Sequence, residues 1–123
     1  MGARSLPTFA RPADARGIAL SAIAVMELWA GVRNEREARD LTTLTERARR
    51  RRRLVVPPMP AWSLAGQTIR ALTRSGMGGA RARAMRNDVL LAATATLLGA
   101  RVLTANAGDF ASIARVLPVH WSS

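Results

Sequence analysis

The chain has 123 residues, of which 49% are hydrophobic, and it contains no cysteine. These values exclude a disordered tail, a disulfide scaffold and thiolate chemistry, and they allow one domain with a real core. The net charge is +11 and every basic residue is an arginine, which favours a polyanionic partner such as nucleic acid or an acidic protein. No apolar run approaches the roughly 18 residues of a membrane span. With no recognisable signal peptide either, we expect a cytoplasmic protein without membrane contact.

The beginning of the chain predicts an irregular segment followed by a strand and a helix. Residues 1–16 carry two prolines and no periodic pattern, so we predict that they are irregular and that a single domain covers residues 17–123. The apolar run Gly17–Ser21 predicts a buried strand. Ser21 is then placed to cap a helix over Ala22–Arg33.

The middle of the chain predicts helices that are apolar on one side and a second short strand. Glu35–Arg53 has apolar residues at helical spacing and ends in five consecutive arginines. Leu54–Val56 predicts a strand, Ala61–Ser75 another amphipathic helix, and Gly76–Gly79 a flexible loop. Trp29 and Trp62 fall on the apolar faces of their helices, which favours a place in the core or in a dimer interface.

The last third of the chain places acidic and polar residues around a buried helix and a strand. Asp88 heads a helix that is apolar all round and that Gly99 ends. Arg101–Thr104 predicts the next strand, and a polar turn with Asn106 and Asp109 follows it. A short helix over residues 111–115 and an edge strand over residues 117–121 complete the pattern. The order predicts a three-layer α/β fold with a mainly parallel sheet and helices on both faces.

Three carboxylates are candidate metal ligands. Glu27, Asp88 and Asp109 are three of only eight acidic residues, and oxygen ligands of this kind suit Mg²⁺ or Mn²⁺. The residues alone leave alternatives open. Asp88 could simply cap its helix, Glu27 could face solvent or an arginine, and Asp109 could form an Asx turn or cap the following helix.

The segments SAIAVMELWAGV and NDVLLAATATLLGARVLTANAGDF resemble PIN-domain ribonucleases, specifically the VapC-type toxins of bacterial toxin–antitoxin pairs. In that family a strand leads into an S-A-I-T-x-x-E-L-x-x-G helix, whose Glu matches Glu27. A later D-x-x-I-A-A-x-A helix supplies an Asp that matches Asp88. A T-x-N/D-x-x-D-F motif after a strand matches Thr104, Asn106 and Asp109. The resemblance runs from about residue 17 to the end of the chain.

The resemblance implies an endoribonuclease that cleaves RNA with water activated by Mg²⁺ or Mn²⁺, a homodimer, and an antitoxin protein that covers the site. It implies that Asp88 is a direct metal ligand and that Glu27 is a ligand or orients the attacking water. Asn106 would contact a water on the metal, and Thr104 would hold a carboxylate or the phosphate by its hydroxyl group. Asp109 would supplement the cluster or cap the next helix.

The chain departs from the family at its beginning. PIN domains open with a strand that ends in L-D-T/S-N/S, whose Asp is a principal metal ligand. No such motif precedes Gly17, and Asp14 is the only acid in that segment. We therefore expect a sheet without the usual first strand and a site that lacks one carboxylate, as in a truncated gene or one with a misplaced start codon. The alternative function is an inactive remnant that binds an antitoxin or a partner chain.

Two groups of arginines are candidate contacts for a polyanion. Arg81, Arg83 and Arg86 lead directly into Asp88, and we predict that they line the RNA groove or meet an acidic segment of the antitoxin. The run Arg49–Arg53 could bind the RNA backbone, or it could be a solvated helix end that complements the helix dipole.

Overall fold

The protein is described by a computed structural model, which covers residues 8–10 and 18–123. Asp14 and Gly17 lie outside these described residues. Within them, short strands and helices follow one another in this order: β1 (Thr8–Ala10), β2 (Ile18–Ser21), α1 (Ala22–Ala30), α2 (Glu35–Arg50), β3 (Leu54–Val55), α3 (Met59–Arg74), α4 (Gly79–Ala84), α5 (Arg86–Leu98), β4 (Arg101–Leu103), α6 (Ala107–Ala114) and β5 (His120–Ser122).

The strands form one five-stranded sheet in the order β3-β2-β1-β4-β5. Strand β2 is parallel to β3, and β4 is parallel to β5, whereas β1 is antiparallel to both of its neighbours. Strands β2, β3, β4 and β5 therefore run in the same direction. The predicted α/β class with a mainly parallel sheet is confirmed, and the carboxyl ends of β2 and β4 lie at the same edge.

The centre of the sheet is occupied by β1, which the sequence does not reveal. Phe9 pairs with Ala19 of β2 on one side and with Val102 of β4 on the other. The expectation that residues 1–16 are irregular is wrong for this tripeptide, and the gap expected at the centre of the sheet is filled by an antiparallel strand. A three-residue strand is too short to show a period of two. Its pairing also satisfies backbone groups on two neighbours that would otherwise be open edges.

Helix α5 is the central element of the core. Every residue from Val89 to Ala95 is buried, as the apolar pattern around this helix predicts. Leu72 of α3 and Phe110 of α6 belong to the same buried cluster. Gly99 ends the helix in the left-handed conformation (φ +64°), which a glycine adopts without steric cost. Asp88 thus lies in the first turn of the most buried helix of the core.

Several boundaries and exposures differ from the sequence prediction. Helix α1 ends at Ala30, α6 begins at Ala107 rather than at residue 111, and the glycine-rich segment leads into α4, which the sequence did not predict. Trp29 and Trp62 are 45% and 54% exposed, so neither lies in the core. None of the helices in the described ranges is long and apolar enough to cross a bilayer.

Candidate acidic site at the carboxyl edge of the sheet

Two strand-to-helix connections bring the candidate residues to one edge of the sheet. Helix α1 follows β2 directly and carries Glu27, and the turn after β4 carries Asn106 and leads into α6 with Asp109. The Ser21 hydroxyl accepts a hydrogen bond from the Ile23 N–H (3.1 Å), so this predicted cap fixes the start of α1. Because β2 and β4 point to the same edge, both connections reach the first turn of α5.

Asp88 is the centre of this site. Its side chain is half-buried, and partial burial is the largest cause that raises the pKa of its carboxyl group from 3.8 to about 6. The negative charges of Asp109 and then Glu27 raise this pKa further, as does a hydrogen bond shared with the Asp109 carboxyl group. A hydrogen bond with the Asn106 side chain opposes these effects by favouring the ionised form. The structure therefore brings four of the candidate residues together.

Neither Asp88 nor Asp109 is the N-cap residue of its helix. Helix α5 begins at Arg86 and its N-cap is Met85, so Asp88 lies within the first turn and is not the cap. Helix α6 has Asn106 at its N-cap, without a side-chain capping bond, and Asp109 is its third residue. The two carboxyl groups are directed at each other, which is an arrangement that a shared proton or a cation stabilises.

Thr104 supports the site indirectly. Its side chain is buried at the end of β4, and its hydroxyl oxygen accepts a hydrogen bond from the Asn106 N–H (2.9 Å). This bond closes the turn that presents the Asn106 amide to Asp88. The hydroxyl thus positions a neighbour, and the direct hold on a carboxylate or a phosphate that the resemblance implied stays a prediction.

The donor set fits a hard divalent cation. Carboxylate and amide oxygens are the ligands that Mg²⁺ and Mn²⁺ prefer. In the part of the chain that the structure describes, no three acidic or histidine side chains are close enough to form a ready-made cluster. Mg²⁺ usually keeps several waters and needs only one or two carboxylates together with substrate phosphates. The pair Asp88 and Asp109, with Glu27 further away, meets that requirement.

The three arginines that precede Asp88 do not form one surface. Arg81 lines a cleft between α3, α4 and α6. The Arg83 guanidinium lies over Gly79, with Nη1 3.2 Å from the point where a β-carbon would stand. Arg86 lies at an apolar groove formed by α1, α3 and the start of α5, and its Nη1 donates to the Arg83 carbonyl oxygen (3.1 Å). Arg81 and Arg86 therefore line different clefts, and the predicted contact of these arginines with the RNA groove or with an acidic segment of the antitoxin stays a prediction.

The arginines at the end of α2 are exposed and partly neutralised. Arg49 and Arg50 both form ion pairs with Glu46. The hydrogen bond from Arg49 is the largest cause that lowers the pKa of Glu46 to about 2. Arg51 and Arg52 lie just beyond the helix and are also exposed. This surface resembles a solvated helix end more than a built binding site.

Two clefts next to the acidic site contain residues that sequence reasoning missed. The first, of about 530 Å³, is lined by Arg81 together with Ser112 and Arg115 of α6. The second is a groove of about 510 Å³ formed by α1, α3 and the start of α5, with Met26 and Trp62 on its walls. Asp109, Ser112 and Arg115 recur every three residues, and this spacing was the available signal for the first cleft.

These features define an α/β protein with a half-buried acidic site at the carboxyl edge of a mainly parallel sheet. The family model for the PIN domain matches residues 3–116, and the chain belongs to the PIN domain family. PIN domains are nucleases that bind RNA and are generally dependent on divalent metals. Comparison with curated proteins gives no match, and comparison with solved structures gives none either.

Proposed function

We propose that this protein is a metal-dependent endoribonuclease and the toxin of a bacterial toxin–antitoxin pair. The observation that supports the nuclease most directly is the convergence of Asp88, Asp109 and Glu27 on one edge of the sheet. Burial and the repulsion between these groups raise the pKa of Asp88 to about 6, and the neighbouring charges of Asp109 and Glu27 make the site a region of negative potential in a chain of net charge +11. Such a region attracts a cation, and the basic surface attracts RNA.

Each residue has a proposed task. Asp88 and Asp109 would hold Mg²⁺ or Mn²⁺, which would polarise the scissile phosphate and activate a water for hydrolysis. The Asn106 amide favours the ionised form of Asp88, and Thr104 keeps Asn106 in place. The charge of Glu27 acts on Asp88, and its carboxylate would orient a water and accept its proton. RNA cleavage by this chemistry fits the cytoplasmic location expected from the sequence.

The apolar groove beside the site supports the proposed partners. Met26, Val56 and Trp62 on its walls are 53%, 68% and 54% exposed, and Arg86 and Asn87 complete its lining. An exposed apolar groove of this kind marks a protein interaction site. We propose that an antitoxin segment with apolar side chains and an acid for Arg86 covers it. Arg83 is a further candidate contact for RNA or the antitoxin, and a homodimer would bury the remaining apolar side chains.

One observation favours a second function, which is binding of an antitoxin or a partner chain without RNA cleavage. The described residues contain no cluster of three metal-binding side chains, so cation affinity rests on few carboxylates. A chain that binds an antitoxin or a partner chain without cleaving RNA would need only the apolar groove.

The test is cleavage of single-stranded RNA by the purified chain with Mn²⁺, with Mg²⁺ and with EDTA. We expect cleavage with either metal, none with EDTA, and activity reduced by at least about a hundredfold in Asp88→Asn and Glu27→Gln. Asp40→Asn, on the exposed face of α2, removes the same charge away from the site and should retain activity. Absence of cleavage with both metals, together with antitoxin binding, would establish the second function instead.

A further inference from the structure

A second cleft beside the acidic site has the composition of an anion site. It has a volume of about 530 Å³ and lies between the end of α3, the turn that leads into α4, and α6. Arg81 of α4 and Arg115 at the end of α6 line it together with two serines and the glycines of the turn. Two guanidinium groups thus face one space from elements that are far apart in sequence.

Both guanidinium groups are available for a ligand. Among the described residues, the ion pairs join Arg33 to Glu37 and Arg49 and Arg50 to Glu46, and none involves Arg81 or Arg115. Two unneutralised cations that share a cleft repel each other, so an anion between them is stabilising. Arginine presents a planar fork of donors that matches the oxygens of a phosphate group.

Helix α6 connects the cleft to the acidic site. Ser112 lines the cleft and is the third residue after Asp109, so their side chains are neighbours on the helix surface. Arg115 follows one turn later, about 9 Å along the helix axis from Asp109. On the other wall, Arg81 lies within α4, which directly precedes α5. An RNA strand that reaches the acidic site in this direction meets the two arginines next.

We propose that this cleft binds a backbone phosphate of the RNA substrate, next to the phosphate that the acidic site would cleave. This inference rests on the proposed function and adds to it the direction in which the strand leaves the site. The acidic site selects the cation and carries the chemistry, whereas Arg81 and Arg115 hold a flanking phosphate and so fix the register of the strand. Contacts to phosphate position a strand without reading its sequence.

The experiment measures binding of a single-stranded RNA oligonucleotide in EDTA, where no metal-dependent cleavage occurs, over a range of salt concentrations. We expect the double variant Arg81→Ala with Arg115→Ala to bind on the order of tenfold more weakly at low salt. The slope of log K against log salt should become shallower by about 0.7 for each phosphate that the variant no longer neutralises. Both side chains are on exposed residues, so the variant should fold, which circular dichroism and thermal melting will check.

The matched control removes two arginines elsewhere, with Arg36→Ala on α2 and Arg101→Ala at the opposite edge of the sheet. It has the same net charge as the test variant and should keep nearly wild-type affinity. Equally weakened binding in the two variants, or an unchanged affinity and salt slope in the test variant, would overturn the inference. The proposed function fails separately, if the wild-type chain does not cleave RNA with Mg²⁺ or Mn²⁺.

Discussion

Replacing Asp88 by asparagine should make the metal-free protein more stable while it removes cleavage. The carboxyl group of Asp88 is half-buried, and the charges of Asp109 and Glu27 act on it in the same direction as burial. Its ionised form is therefore held at a cost in the folded state. Asparagine has nearly the same shape and no charge, so it removes the repulsion without leaving a cavity.

The size of the effect follows from the pKa of Asp88. The rise from 3.8 to about 6, at about 1.36 kcal/mol per pKa unit, sets an upper limit of about 3 kcal/mol at neutral pH. Solvent screening of a partly exposed carboxyl group reduces this to about 1–2 kcal/mol. For a domain of this size, that corresponds to a melting temperature about 4–8 °C higher.

The pH dependence has a definite sign. The folded state holds the proton of Asp88 more tightly than the unfolded state, so its contribution to stability is greatest below pH 3.8 and declines as the pH rises to about 6. In Asp88→Asn this pH-dependent loss of stability is absent, because asparagine does not titrate. The difference in unfolding free energy between variant and wild type should be near zero at about pH 4 and reach its full value above about pH 6.

Urea unfolding in EDTA, from about pH 4 to about pH 8, measures this difference, with Asp40→Asn as the control that removes an exposed carboxylate. Added Mn²⁺ should then stabilise the wild type by mass action and leave Asp88→Asn nearly unchanged. The reasoning is that ionised Asp88 destabilises the metal-free fold and binds a cation. It would be refuted by a variant that is less stable than the wild type at neutral pH in EDTA, or by one that Mn²⁺ stabilises equally.

Three further substitutions test how the site is held. Ser21→Ala removes the cap of α1 and should cost about 1 kcal/mol in urea unfolding, whereas Ser21→Thr should cost less. Phe110→Ala empties the core beside Asp109 and should cost about 3–5 kcal/mol, and a cost below about 1 kcal/mol would contradict its complete burial. In Gly99→Ala the added β-carbon would contact no neighbouring atom, but the residue would keep its positive φ. Thermal melting should therefore show a destabilisation of about 1 kcal/mol from backbone strain alone.

Features that depend on local pattern could be predicted from the sequence. The apolar surface all round α5, the cap at Ser21 and the left-handed end at Gly99 each follow from a few neighbouring residues, and the structure has all three. The presence of Glu27 and Asp109 at one edge could be anticipated because each follows a strand of a mainly parallel sheet, whereas the place of Asp88 beside them depends on where α5 begins.

Features that depend on distant partners could not be predicted. Strand β1 forms because two neighbours, one of them in the last quarter of the chain, each offer an open edge to its three residues. Arg81 and Arg86 separate because Arg81 lies within α4 and Arg86 begins α5, and these two helices have different neighbours. Arg81 and Arg115 likewise line one cleft only because of the way α6 packs, and no local sequence pattern predicts that packing.

The contrast between the acids of this chain argues for the role of the site. Glu37 and Glu46 on α2 are held by arginines, and hydrogen bonds from Arg33 and Arg49 lower the pKa of each to about 2. Within the described residues, no arginine is among the groups that shift the pKa of Asp88. In a chain with 19 basic residues, an acid that faces other acids instead of an arginine is available to a different cation. Among the ligands that such oxygen donors accept, a divalent metal is the one that the PIN domain family generally uses.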